Sequence, residues 1–404
     1  MDNSRLPAKV WLAFGEIQSK CEHIAGAPLR PEVQSHLHSI FLAKGLMATT
    51  AIEGNTLSEE EVGKRIAGEL KLPPSKEYLG KEIDNVLNAA NGLWDDVGKP
   101  LTVEDLKRYN SQILEGLKIE EPAVAGEIRE HSVTVGRYLG APAADCEYLL
   151  QKMCDWLNTD FKPIEGMNIV FGVMKAIFAH LYIAWIHPFG DGNGRTARMV
   201  EVRLLLEAGA PSSAAHLLSN YYNQTRTEYY RQLEYASKSG GDVLKFIEYA
   251  CQGLCEQLRE QISVIRGEHI EVTWSNYVHE LFKSEKTATS RRRRMLALAI
   301  SEHWEGVEFR DIRGLSPQIA EEYAGKTAKT IVRDLDALED MEVIFSEARN
   351  YKPNIKKLSA FLPAVLPNGQ PAISRLERVR AKSSSRTGAK AQRSEASASL
   401  KLAS

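Results

Sequence analysis

Apolar residues recur every three or four positions through most of the first 280 residues, and that period predicts amphipathic helices over residues 31–53, 59–69, 76–96, 103–116 and 145–159. Two of the predicted helices carry start signals: Ser58-Glu59-Glu60-Glu61 is a capping-box pattern, and Thr102 precedes Glu104 and Asp105, acidic residues suited to a first turn. The period shortens to two only around Val133 and Val135, so residues 126–137 read as a small β-hairpin. Helical spacing returns over 196–208, 225–238 and 241–266. Residues 283–290 are polar, and a different module follows, with helices at 295–303 and 316–323. A third helix there has Ile331, Leu335 and Leu338 on one face, and residues 343–345 and 351–355 form the two strands of a wing. The chain therefore reads as mainly α, with an N-terminal helical region (1–100), a helical domain (101–282) and a winged-helix-like domain (290–362).

Composition changes this picture in three places. Of 404 residues, 43% are hydrophobic and 26% charged, which is ordinary for packed domains. The net charge of −2 hides an asymmetry, because residues 375–404 carry eight Lys or Arg against two Asp or Glu. From 374 onward large apolar residues are scarce, so a disordered basic tail over 374–404 is expected. Residues 166–186 hold one charged side chain, Lys175, and are long enough to span hydrocarbon. They run straight into a glycine-rich loop and carry Asn168 and His180, so a helix buried by protein is expected and no membrane partner. The five cysteines (21, 146, 154, 251 and 255) include no C-x-x-C pair, and the N-terminus lacks a signal pattern. The expectation is a cytoplasmic protein with reduced, buried thiols.

The densest chemistry lies at residues 187–198, His-Pro-Phe-Gly-Asp-Gly-Asn-Gly-Arg-Thr-Ala-Arg. Gly190, Gly192 and Gly194 let bare N–H groups approach an anion, and the helix that follows adds positive partial charge at its start. A base, an acid and two guanidinium groups stand beside that nest, a set suited to a nucleoside triphosphate. Taken singly, each element has a bland reading: Pro188 as a helix stop, Phe189 as a core anchor, His180 as a satisfied interior histidine. Tyr221, Tyr222, Tyr229 and Tyr230 offer an adenine contact, but an aromatic stripe at helical spacing is more often core.

The run resembles the core motif of Fic proteins, HPFxDGNGRxxR, with every fixed position filled. The resemblance implies a protein adenylyltransferase that moves AMP from ATP to a Ser, Thr or Tyr hydroxyl of a target protein, itself included, with Mg²⁺ as cofactor. It implies His187 as general base, Asp191 as the magnesium ligand, and Asn193 with the amides at Gly190, Gly192 and Gly194 as the cradle for the α- and β-phosphates. Arg195 and Arg198 would hold the distal phosphates. Residues 126–137 would be a flap that positions the target segment by strand pairing, with Val133 and Val135 as docking positions.

Thr49-Thr-Ala-Ile-Glu53-Gly54-Asn55 is similar to the inhibitory motif of the same family. Gly54 suits a helix C-cap, which puts Glu53 where carbonyl dipoles disfavour negative charge by about 0.3–1 kcal/mol unless a cation answers it. The resemblance makes Arg198 that cation, withheld from the γ-phosphate. Two other readings share these residues. One is a hydrolase that removes AMP, with Glu53 positioning water. The other is a nucleotide-sensing winged-helix regulator that binds DNA, or a second copy, through its C-terminal module. For DNA, Lys326, Lys329, Arg333 and Arg291–Arg294 are favourable, whereas Asp334, Asp336, Glu339 and Asp340 oppose it.

Overall fold

The computed structural model describes residues 6–135 and 138–358. The chain divides into two compact units, Met1–Glu260 and Gln261–Ser404. The expected tail at 374–404 lies outside the described residues.

The first unit is helical: α1 (Ala8–Ala25), α2 (Pro31–Ile52), α3 (Glu59–Ile66), α4 (Glu77–Gly92), α5 (Val103–Leu114), α6 (Cys146–Thr159), α7 (Asn168–Ile186), α8 (Asn193–Glu207), α9 (Ser212–Ala215), α10 (Leu217–Gln224), α11 (Arg226–Lys238) and the first part of the long α12 (Leu244–Leu281). Both predicted caps form. The Ser58 and Glu61 backbone and side chains bond reciprocally, as do those of Thr102 and Asp105. Each such cap stabilises its helix by about 1 kcal/mol.

The apolar α7 is a core helix, with 72% of its most hydrophobic stretch buried inside the protein. It packs along α8, and a β-carbon on Gly172 would collide with that of Ala208, so glycine sets the closeness of the two helices at that crossing. α6 and α1 cover other faces of α7, and Gln18 of α1 accepts the Ile169 N–H at 3.2 Å. All five cysteines are buried and unbridged.

The predicted hairpin is displaced. β1 (Thr134–Val135) and β2 (Tyr138–Leu139) pair antiparallel, Thr134 opposite Leu139 and Val135 opposite Tyr138, so the strands begin where 126–137 was expected to end. The earlier part of that segment is engaged elsewhere, because Ile128 pairs with Phe189 of the glycine-rich loop. The sequence pattern also left α1, α9 and α10 without prediction; the last two are short helices packed against α2.

In the second unit, α13 (Ala288–Ser301) and β3 (Val307–Glu308) are followed by α14 (Pro317–Glu322), α15 (Ala328–Asp340), β4 (Ile344–Glu347) and β5 (Asn350–Pro353). The strands form one antiparallel sheet in the order β3-β5-β4. The β4–β5 turn is made by Ala348 and Arg349, both at positive φ, as two-residue hairpin loops require. Trp274 and Val278 of α12 and Phe282 just after it belong to this unit's core with Leu296, Ile331, Leu335 and Leu338. The second unit thus begins inside α12, before the polar stretch at 283–290 where a boundary was expected, because an apolar face continues along the helix. Asp334, expected to repel phosphates, is buried and bonded to Arg292, Arg293 and Tyr323.

Candidate active site

α7 ends at His187, whose backbone is left-handed (φ 50, ψ 57), a conformation that costs a non-glycine residue about 1–2 kcal/mol. The turn reverses the chain into the loop 188–192 and on to α8, which starts at Gly192 (φ 77). Phe189 is fully buried and anchors the loop. The Asn193 side chain staples it, accepting from the Phe189 N–H at 2.9 Å and donating to the Phe189 carbonyl at 2.8 Å. In this structure the Asn193 side chain therefore shapes the cradle by holding Phe189. From α5, the buried Asn110 donates to the Asp191 carbonyl at 2.8 Å and accepts the Gly126 N–H at 2.9 Å. A β-carbon at Gly190 would strike Ala123, and one at Gly192 would crowd Asn110, so both positions need glycine for close approach.

The His187 imidazole is held below its ordinary value of 6.5. Burial is the main cause and the Arg129 charge adds to it, against the Ala184 carbonyl and the carboxylates of Glu53 and Asp191. A neutral imidazole at neutral pH is a ready proton acceptor. Asp191 is partly exposed and takes the Gly192 N–H and Arg195 on the same oxygen, Oδ1. Among the described residues no three His, Cys, Asp or Glu side chains cluster as a metal cage. A single carboxylate fits Mg²⁺ that arrives with phosphates, since that ion keeps waters and phosphate oxygens as its other ligands.

The two arginines are engaged from the N-terminal helices. Arg195 pairs with the buried Glu82 of α4 at 2.7 Å and with Asp191 at 3.0 Å, and Asn55 holds the other oxygen of Glu82 at 2.8 Å. Arg198 is almost wholly buried; its Nε donates to Thr49 Oγ1 at 2.8 Å, and its Nη2 to the Thr49 carbonyl at 3.0 Å and to Glu53 Oε1 at 2.6 Å. Burial pushes the Glu53 carboxyl up, but the charge and hydrogen bond of Arg198, helped by Arg195 and Arg226, outweigh it and hold the group below its ordinary value. A β-carbon on Gly194 would fall on the Glu53 carboxylate. Glu53 therefore occupies the N-terminal end of α8, where a helix receives an anion.

Of the residues that shape this arrangement, Arg226 and Glu201 escaped the sequence reading, whereas His180 was expected as an interior histidine and Tyr222, Tyr229 and Tyr230 as core or adenine contacts. Arg226 and Tyr230 of α11 donate to the Ala51 and Ile52 carbonyls at 3.2 and 3.4 Å, capping α2 beside Glu53. Behind Arg198, His180 hydrogen-bonds Tyr229 at 2.8 Å and lies 3.0 Å from Glu201, and Tyr222 donates to Glu201 at 3.0 Å. Tyr222 and Tyr229 stack in this core, so they support the pocket from behind. Val133 lies at the flap, its carbonyl accepting the Gly140 N–H at 3.1 Å; Val135 is placed by its backbone pairing alone.

Residues 100–205 match the Fic/DOC family. The chain is 29% identical over 259 residues to protein adenylyltransferase fic-1 of Caenorhabditis briggsae, a match covering 60% of this chain and 46% of that protein. It is 27% identical to protein adenylyltransferase Fic of Culex quinquefasciatus, over 54% of this chain and 40% of that protein. The chain thus spans less than half the length of these relatives. A Fic family protein from Desulfovibrio desulfuricans G20 shares the fold, with a TM-score of 0.54 and 20% identity, covering 86% of this chain and 96% of that one. The motif at 187–198 lies inside the matched segment, and residues 100–205 are thus similar to the Fic/DOC family.

Proposed function

We propose that this protein transfers AMP from ATP to a hydroxyl side chain of a target protein and that Glu53 restrains the reaction. The observation that carries this reading is the pairing of Glu53 with Arg198 at the start of α8, next to a neutral, half-buried His187. The relatives named protein adenylyltransferases support it at the level of the reaction. His187 accepts the proton of the target hydroxyl as that oxygen bonds to the α-phosphorus; the bond to the β-phosphate bridging oxygen breaks and pyrophosphate leaves. A proton acceptor so placed contributes about 10²- to 10⁴-fold. Asp191 would hold Mg²⁺, which neutralises phosphate charge when bound. The N–H groups opening α8 receive phosphate oxygens, and Arg198, once free of Glu53, is the guanidinium for the γ-phosphate. With Glu53 in place, its carboxylate competes with that phosphate for the same end of α8 and the same cation.

The order of elements in the second unit supports a winged-helix reading, with Lys329 and Arg333 exposed on α15 beside Asp336 and Asp340. Protein carrying Glu53→Gly should label itself or a target from α-labelled ATP about 5- to 150-fold faster than the native chain, the range of a typical coupling energy. His187→Ala in that background should abolish the labelling. Unchanged labelling in Glu53→Gly removes the brake. Release of AMP from a modified protein without transfer moves the assignment to the hydrolase, and a DNA shift without either reaction moves it to the regulator.

A further inference from the structure

Arg129 is 4% exposed, and among the described residues no carboxylate lies within ion-pair distance of it. Its partners are carbonyl oxygens from two segments. On the catalytic side, Nε donates to His187 O at 2.7 Å and Nη2 to Ile186 O at 3.4 Å, the terminal carbonyls of α7. On the flap side, Nη1 donates to His131 O and Nη2 to Ala141 O, one on each side of the β1–β2 hairpin. Its own N–H donates to Pro188 O at 2.9 Å. Tyr138 of β2 adds a parallel tie, donating to Trp185 O at 2.7 Å. Gly140 packs against the same group, since a β-carbon there would lie 3.0 Å from Nη2 and 3.3 Å from the His187 β-carbon.

We infer that Arg129 is a positioning residue that locks the left-handed turn at His187 to the flap, so that the base and the strand presenting the target hydroxyl form one rigid frame. The inference rests on the adenylyltransfer reading and concerns the geometry of that same site. A buried guanidinium without a carboxylate is expensive to keep unless its donors are engaged, and here all three nitrogens donate, in four hydrogen bonds, to the two segments whose separation decides proton transfer. Helix C-terminal carbonyls attract a cation, which explains why an uncompensated charge is stable at this point. The charge also acts on the imidazole: it opposes protonation of His187, while Glu53 and Asp191 face the ring and favour it. Misplacing a reacting group by about 1 Å costs about 10²-fold in rate.

The test uses the full chain with Glu53→Gly, and compares Arg129→Lys, which keeps the charge but not the planar fork, with Arg129→Met, which keeps only the stem. Both should lower kcat for labelling about 10²-fold while leaving the affinity for a non-hydrolysable ATP analogue within about threefold. By NMR, the His187 ring should titrate at higher pH in Arg129→Met but not in Arg129→Lys, and hydrogen exchange at Gly140 should accelerate in both. A kcat within threefold of the parent, with exchange at Gly140 unchanged, overturns the inference. Should Arg129→Met not fold, Arg129→Lys decides the matter by its kcat and exchange. Absence of labelling in the Glu53→Gly parent overturns adenylyl transfer instead, and the ring titration and exchange then decide the role of Arg129 without it.

Discussion

Two arginines on α8, five residues apart, are both almost fully buried and yet are held in opposite ways. Arg203 is caged: it donates to Asp105 at 3.0 Å, to the Tyr109 hydroxyl at 3.1 Å and to the carbonyls of Lys99, Pro100 and Asp96. Every partner comes from α5 or the turn before it. Arg198 instead draws its partners from the end of α2, and its one carboxylate, Glu53, has a side chain 32% exposed. Its second terminal nitrogen, Nη1, is buried next to Gly194, and the Tyr229 hydroxyl of α11 also bears on the group. A guanidinium enclosed by scaffold is part of the fold. One completed by a solvent-reachable carboxylate, at a glycine that leaves room for an anion, is built to exchange partners.

That contrast breaks if the two behave alike on substitution. Arg203→Met should destabilise the protein by about 3–5 kcal/mol in chemical denaturation, because it removes the donors from three carbonyls and the Tyr109 hydroxyl, whereas Asp105 keeps Arg108 and Thr102. Arg198→Ala should act mainly on ligand: in the Glu53→Gly background, affinity for ATP should fall about 10-fold or more, and affinity for AMP much less, measured by calorimetry. Equal losses for ATP and AMP contradict its assignment to the distal phosphate. The smallest effect is on pH. The lowered His187 group predicts that the acid limb of transfer by Glu53→Gly protein lies below pH 6.5. Glu53 is also depressed, so its contact with Arg198 is fully present above the ordinary carboxylate value and is lost only as pH falls through the lower folded value. The activation caused by Glu53→Gly should therefore stay constant from about pH 5.5 to 8. A rate inflection above 6.5, or an activation ratio that shrinks within that window, contradicts the neutral base or the ionised brake respectively.

The site was legible in the sequence where its parts are contiguous. Residues 187–198 must fold as a loop opening a helix, and three glycines, an acid and two arginines at fixed offsets say so without tertiary information. Thr49, Glu53 and Gly54 were legible through their resemblance to an inhibitory motif, with Gly54 alone marking a helix end by its own chemistry. Asn193 shows the limit: its type suits a phosphate, but its amide closes on Phe189. Glu82, Asn110 and Arg129 gave no signal, because a charged or polar residue inside an amphipathic pattern reads as solvated until its partner is seen. The hairpin was displaced for a similar reason, since Ile128 carries strand-like character that pairs with Phe189.

The sequence by itself determined a mainly helical chain, the capped starts of α3 and α5, the buried α7, and a glycine-rich anion loop beside a histidine, because those follow from periodicity and local backbone chemistry. Tertiary structure alone decided that Glu82 meets Arg195 and that Arg129 meets no carboxylate among the described residues, while the pairing of Glu53 with Arg198 had been expected only through the family resemblance. Ion pairs between residues a hundred or more positions apart depend on how helices are packed, and packing is written in the shapes of many side chains together.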